Sequence, residues 1–235
     1  LVLAAAIPVT WVVVRVVHGI LPRWLASVRP RIRWRWFAVC LGLAVLSLVV
    51  TLMVSAMVPS SSSDPQVNGS VNDFTSTTRD FLLVVLLLTP LQAAGEEYAF
   101  RGYLTQAFGG LFNRRWVAVV GPAVLFALAH GAQSAPVFFD RFAFGVVAGT
   151  LVVLTGGLEA GIAMHVLNNW LAFGLALAFG DMGSTLNPTG GSWWTLPVTL
   201  TQSLVYLALA LLVARRTGLE TTSHEAVLVA ARGRV

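Results

Sequence analysis

Lysine is absent from this chain of 235 residues, so all fifteen basic residues are arginine, set against ten acids. Charged residues make up only 11%, whereas a soluble domain carries about 25%. With 57% hydrophobic residues and a mean hydropathy of +0.79, the chain has too little charge to cover a water-facing surface of its size. Cysteine is almost absent too. The single Cys40 lies in an apolar run, which excludes a disulfide framework or a thiolate metal cage within one chain. A sequence pI near 10.6 suggests nucleic acid at first sight. Most of the arginines, however, sit in short loops beside apolar runs, which is the pattern of membrane topology. No nucleic-acid partner is expected; the expected surroundings are a lipid bilayer.

What the sequence has in quantity is long apolar runs. A helical crossing needs about 20 apolar residues, and runs of that kind lie at 1–21, 36–58, 81–107, 116–132, 137–154, 158–180 and 195–213. The fold expected is all-α: one polytopic membrane domain over 1–235, about seven transmembrane helices around an intramembrane polar cavity. The first run is the poorest, interrupted by Pro8, Arg15 and His18. It reads as an uncleaved span rather than a signal peptide, because further spans follow. Arg23, Arg29, Arg31, Arg33 and Arg35 then alternate with Trp24, Trp34 and Trp36, as at a cytoplasmic membrane interface. Residues 59–80 form a Ser-, Asn-, Asp- and Thr-rich loop, expected outside. Threading the spans alternately puts 23–35, 114–115 and the tail on one side and Arg79 and Arg141 on the other. The positive-inside rule then places the C-terminus in the cytoplasm and residue 1 outside.

Ionisable groups at membrane depth cost on the order of 2.5 to 3.5 kcal/mol each, so each is a candidate functional group. They gather in three regions. In Glu96-Glu97-Tyr98-Ala99-Phe100-Arg101, Glu97 and Arg101 are four apart with the acid first, the favoured order for a helical ion pair. Glu96 lies about 100° round the helix from that pair, and is expected to face the cavity. The second region is Phe126-Ala127-Leu128-Ala129-His130, and the third His165-Val166-Leu167-Asn168-Asn169. His165 and Asn169, four apart, project together, and Asn168 can share their face. Each region alone also fits plain packing: both acids on Arg101, His130 bonded to a neighbouring helix, His165 and Asn169 as interhelical glue.

Taken in order on separate spans, Glu-Glu-x-x-x-Arg, Phe-x-x-x-His and His-x-x-x-Asn resemble the CAAX protease and bacteriocin-processing family of intramembrane endopeptidases, also called the abortive-infection family. The resemblance covers roughly 80–180 and extends to Phe100-Arg101-Gly102-Tyr103-Leu104 and to Thr155-Gly156-Gly157-Leu158. Glu159 departs from the family pattern; it is expected to be a solvated helix-start acid or to touch the site. The resemblance implies peptide hydrolysis, with Glu96 and His130 activating a water and His165 and Asn169 stabilising the oxyanion. Glu97, Arg101 and Asn168 would support those four. The residue chemistry agrees, since a carboxylate and an imidazole can share a general-base task and N–H donors in a low-dielectric cavity suit a developing oxyanion.

The family resemblance leaves metal open. A metal-free glutamate mechanism is the expectation; the alternative is zinc held by Glu96, His130 and His165, a sufficient catalytic set. No His-Glu-x-x-His helix is present. The expected partners are the bilayer and a membrane-associated peptide or protein substrate. Eukaryotic relatives trim prenylated CAAX tails, but the arginine-only composition and short loops look prokaryotic, so the location expected is a prokaryotic cell membrane. Two other functions use the same groups: an ion- or proton-coupled transporter with Glu96, His130 and His165 as relay, and a non-catalytic immunity or scaffold protein. One difficulty is depth. Measured from Ala107 and Trp116, Glu96 lies about 16 Å and His130 about 21 Å along their helices.

Overall fold

A computed structural model describes residues 3–59, 70–130, 134–186 and 190–223. Among them the regular structure is helical: α1 (Ala6–Val17), α2 (Trp34–Ser55), α3 (Ser76–Glu97), a π-helical segment (Tyr98–Leu104) continuing into α4 (Thr105–Phe112), then α5 (Arg115–Ala129), α6 (Ala135–Thr155), α7 (Glu159–Phe179), α8 (Met182–Leu186) and α9 (Thr195–Arg216). Five helical runs are long and apolar enough to cross a membrane, counting Ser76–Phe112 as one; Leu3–Val17 and Arg115–Ala129 are apolar but shorter. This is an integral membrane protein.

α2 shows how such a helix decides what to bury. Its buried residues Trp36, Cys40, Ala44, Ser47 and Thr51 recur at intervals of three or four, which makes one stripe on a helix. The hydroxyls in that stripe are satisfied internally, Ser47 donating to Ala44 O at 2.8 Å and Thr51 to Ser47 O at 2.9 Å. Much of the rest of α2 is exposed aliphatic surface, such as Val45, Leu46 and Met53, as lipid contact requires. Small residues also set the α5–α6 packing. A Cβ on Gly145 would stand 3.0 Å from Ala123 Cβ, and one on Gly149 3.1 Å from Val119, the close approach through small residues typical of membrane helices.

Three expected spans change shape. The first is short because α1 ends at His18, Gly19 turns left-handed at φ +67°, and Pro22 opens a 3-10 turn (Pro22–Leu25). The third starts earlier, where Thr75 and Thr78 form a capping box, and runs to Phe112, where Asn113 turns left-handed. The fourth ends at Ala129, before His130. Together these shifts remove the depth difficulty. Glu96 is sixteen residues from Phe112 and His130 fifteen from Arg115, about 24 and 22 Å.

The arginine-rich segment after α1 folds back onto the α6–α7 turn. Val28 N donates to Gly156 O and Leu158 N to Ala26 O, both at 2.8 Å. Gly156 adopts φ +68°, and a Cβ there would lie 2.7 Å from Thr221 O; one on Gly157 would lie 2.6 Å from Ser27 Cβ. That contact explains the Gly156-Gly157 pair. Beside it, Arg33 Nε and Nη2 grip both Glu159 carboxylate oxygens at 2.9 and 2.7 Å. Glu159 is 0% exposed, so it is not the solvated helix-start acid the sequence suggested. It ties α7 to the segment before α2, because a fully buried carboxylate needs a bidentate cation.

Candidate active site

The site is assembled from one wall of α3, the end of α5, the first half of α6 and the middle of α7. α3 packs on α7, α5 on α6 and on the π segment, and α6 on α7, which brings the three sequence regions together. Glu96, His130, His165, Asn168 and Asn169 all line one cavity of about 570 Å³. Glu96 Oε2 lies 3.6 Å from His130 Nε2 and 3.8 Å from His165 Nε2. Among the described residues that oxygen is buried and makes no hydrogen bond. Its twin, Oε1, accepts from Gln92 Nε2 at 3.3 Å.

Glu97 faces the other way. Its Oε1 accepts from Arg101 Nη1 at 3.0 Å and from His165 Nδ1 at 2.9 Å. All three side chains are buried, and Arg101 Cζ stacks 4.1 Å over the Phe126 ring. Space for the Glu97 carboxylate exists because residue 161 is glycine: a Cβ there would be 2.9 Å from Oε2. Immediately after Glu97 the helix widens into the π segment, and Thr105 N reaches back five residues to Phe100 O. Such π segments occur at functional sites more often than chance, and nothing in the sequence marked this one.

The hydrogen bonds fix both imidazole tautomers. His130 Nδ1 is 2.8 Å from Phe126 O, a carbonyl that can only accept. The partner of His165 Nδ1 is the Arg101-bound carboxylate, also an acceptor. Each ring therefore carries its proton on Nδ1 when neutral, and both present Nε2 to Glu96 as a lone pair. Phe126 and Phe144 wall the imidazoles, with the Phe144 and His165 ring centroids 5.1 Å apart.

Sequence reasoning missed Gln92 as a member, although its spacing of four before Glu96 was the available signal. It also missed the Glu97–His165 bond, which joins residues 68 apart and leaves no local trace. Arg141, expected only as an outside charge, lines the cavity along with Thr185, and its Nη1 is 3.5 Å from Asp140.

The donors also bear on a metal. Ligand atoms around a tetrahedral ion at about 2.1 Å lie about 3.4 Å from one another; the Glu96–His130 and Glu96–His165 separations of 3.6 and 3.8 Å are slightly wider. Among the described residues no three His, Cys, Asp or Glu side chains lie close enough together as they stand to hold a metal ion. The chemistry of the set nonetheless fits, since two Nε2 lone pairs and a carboxylate converge and each Nδ1 is held by an outer acceptor.

Residues 78–171 match the family described as type II CAAX prenyl endopeptidase Rce1-like. The chain is also similar to the uncharacterized protein YyaK of Bacillus subtilis (strain 168), 28% identical over 223 residues, covering 88% of this chain and 71% of that protein. No solved structure matches the chain. The matched segment contains all three polar motifs.

Proposed function

We propose, from the Rce1-like domain at 78–171 as premise, that this protein is an intramembrane endopeptidase hydrolysing membrane-associated peptides. The observation that carries the reading is the convergence of Glu96 Oε2 on two imidazole Nε2 atoms inside one cavity. A water between Glu96 and His130 gives a proton to that pair and attacks the peptide carbonyl carbon. The carbonyl oxygen gathers charge facing Asn169 and His165; the C–N bond then breaks as the proton passes to the leaving amine. Donation from His165 to that oxygen requires its second proton, and the Glu97 carboxylate supplies the counter-charge for the imidazolium. Arg101 holds Glu97 in place for this, and Asn168 shapes the same wall.

The tautomers favour one second reading of the same activity. Glu96, His130 and His165 would hold a zinc ion, which would polarise the substrate carbonyl and acidify a bound water. Chelator treatment followed by metal analysis separates the two. Turnover that persists with less than about a tenth of an ion per chain supports the glutamate route; loss restored by stoichiometric zinc supports the metal route.

The cavity is lined at its outer end by Val137, Arg141, Phe173 and Leu186, the last 52% exposed. That end lies away from Arg114, Arg115, Arg215 and Arg216, so the positive-inside rule places its mouth on the extracytoplasmic side of a cell membrane and the C-terminal end in the cytoplasm. Substrates that present a chain segment from that side are the expected class. The test is peptide release from candidate membrane substrates by purified wild type and Glu96→Ala, in detergent without any ion gradient. Release by wild type alone supports the protease. Function that needs a proton or sodium gradient supports transport, and partner binding unchanged in Glu96→Ala with no release supports a scaffold.

A further inference from the structure

A second cavity of about 490 Å³ lies at the other end of the bundle, bounded by the 22–28 segment, α4, the start of α5 and the end of α6. Phe144 lines the first cavity and Val152 the second, eight residues along α6, so their near edges are about 12 Å apart on that helix. Between them stands the layer of Glu97, Arg101 and Phe126. Among the described residues the second cavity is lined by three arginines, Arg101, Arg114 and Arg115, and by no acid.

Its cationic character has separate sources. Arg101, its charge matched by Glu97, is 2% exposed and contributes a donor, since its Nη2 has no hydrogen-bond partner among the described residues. Arg114 is the N-cap of the fifteen-residue α5 and provides no side-chain cap, so the first-turn N–H groups and the positive helix end also face this region. Leu25, Ala118 and Val152 add apolar lining, and Trp116, 63% exposed, follows directly on Arg115, the pairing of indole and cation usual at a membrane interface. An ion alone gains nothing from such apolar walls, whereas an amphiphile does.

We propose that this cavity binds a phosphate-bearing anion, in a bilayer the headgroup of an anionic phospholipid of the cytoplasmic leaflet. The phosphate meets Arg114, Arg115 and the α5 N-terminus, and the Arg101 guanidinium closes the inner end. The site shares only Arg101 with the endopeptidase reading, and its test reads binding at Arg114 and Arg115, not turnover.

The experiment uses the full chain purified in detergent and in nanodiscs. Retained lipid is measured by native mass spectrometry, and the unfolding midpoint is followed on adding phosphatidylglycerol, phosphatidylcholine or inorganic phosphate. Phosphatidylglycerol is expected to bind and raise the midpoint, and phosphatidylcholine not to. Arg114→Ala/Arg115→Ala should bind roughly thirtyfold more weakly, from about 1 kcal/mol for each arginine. If inorganic phosphate reproduces the shift at millimolar concentration, the site takes the free anion as well as the lipid. Equal binding of the two lipids, or undiminished phosphatidylglycerol binding by the double variant, overturns the proposal. Both arginines are exposed, so the variant is expected to fold; should it fail to, Arg114→Gln alone gives the same comparison with about a fivefold loss.

Discussion

Replacing Glu97 with glutamine keeps the side chain's volume and removes its charge. Glu97 Oε1 holds Arg101 at 3.0 Å and His165 at 2.9 Å, and the Arg101 and Glu97 side chains are only 1% and 0% exposed. Removing one member of a buried pair leaves the other charged and uncompensated, at about 3 to 5 kcal/mol. Folded proteins have about 5 to 15 kcal/mol in total, so Glu97→Gln should lose a large fraction of its stability. The double variant Glu97→Gln/Arg101→Met removes the stranded cation as well, and pairs replaced in this way often return close to the original stability. Activity should follow a different course. A glutamine can turn its amide N–H₂ toward His165 Nδ1, which moves the ring proton to Nε2, and a comparable carboxylate-to-amide change in a serine protease costs about 10⁴ in turnover. Equilibrium unfolding in mixed micelles, run beside peptide cleavage, separates the two effects. The expected result is that the double variant regains most of the lost stability yet remains at least about a hundredfold slower than wild type. A single variant within about 0.5 kcal/mol of wild type would refute the stranded-charge argument. Recovery of turnover to within about threefold in the double variant would refute the orienting role of Glu97.

Asn169→Ala should slow turnover about a hundredfold or more with substrate binding nearly unchanged, as loss of an oxyanion donor does; a KM change with constant kcat argues against that role. Gly161→Ala places a methyl 2.9 Å from Glu97 Oε2. The displacement costs about 1 to 3 kcal/mol, against about 1 kcal/mol gained in helix propensity, so unfolding should show a net loss below about 2 kcal/mol with a larger effect on turnover. Arg33→Ala leaves the fully buried Glu159 without its cation and should destabilise by about 3 to 5 kcal/mol. Arg33→Lys should recover only part of that, because one ammonium cannot reproduce the bidentate grip, and chemical unfolding of the two variants side by side measures the difference.

The sequence by itself determined the solvent and the element type. With one charged residue in nine and apolar runs of membrane length, helices are the available way to satisfy the backbone in lipid. The expected spans 137–154, 158–180 and 195–213 lie within three residues of α6, α7 and α9, because each is bounded by local breakers such as Gly156 or Gly180. Spacing also placed Glu97 toward Arg101, since residues four apart on a helix meet whatever the fold. Where a boundary depends on distant contacts, the local signal failed. The first span is short, the third expected span continues to Phe112 through a π segment, and the arginine-rich stretch doubles back onto Gly156 and Gly157. The convergence of Glu96 with His130 and His165, the Glu97–His165 bond and the pairing of Arg33 with Glu159 were decided only by tertiary structure. Each depends on how neighbouring helices are rotated and how deep they sit, and those are set by small-residue contacts such as Gly145 on Ala123 and Gly161 beside Glu97. A glycine in a sequence shows that two surfaces can come close; only the packed bundle shows which two.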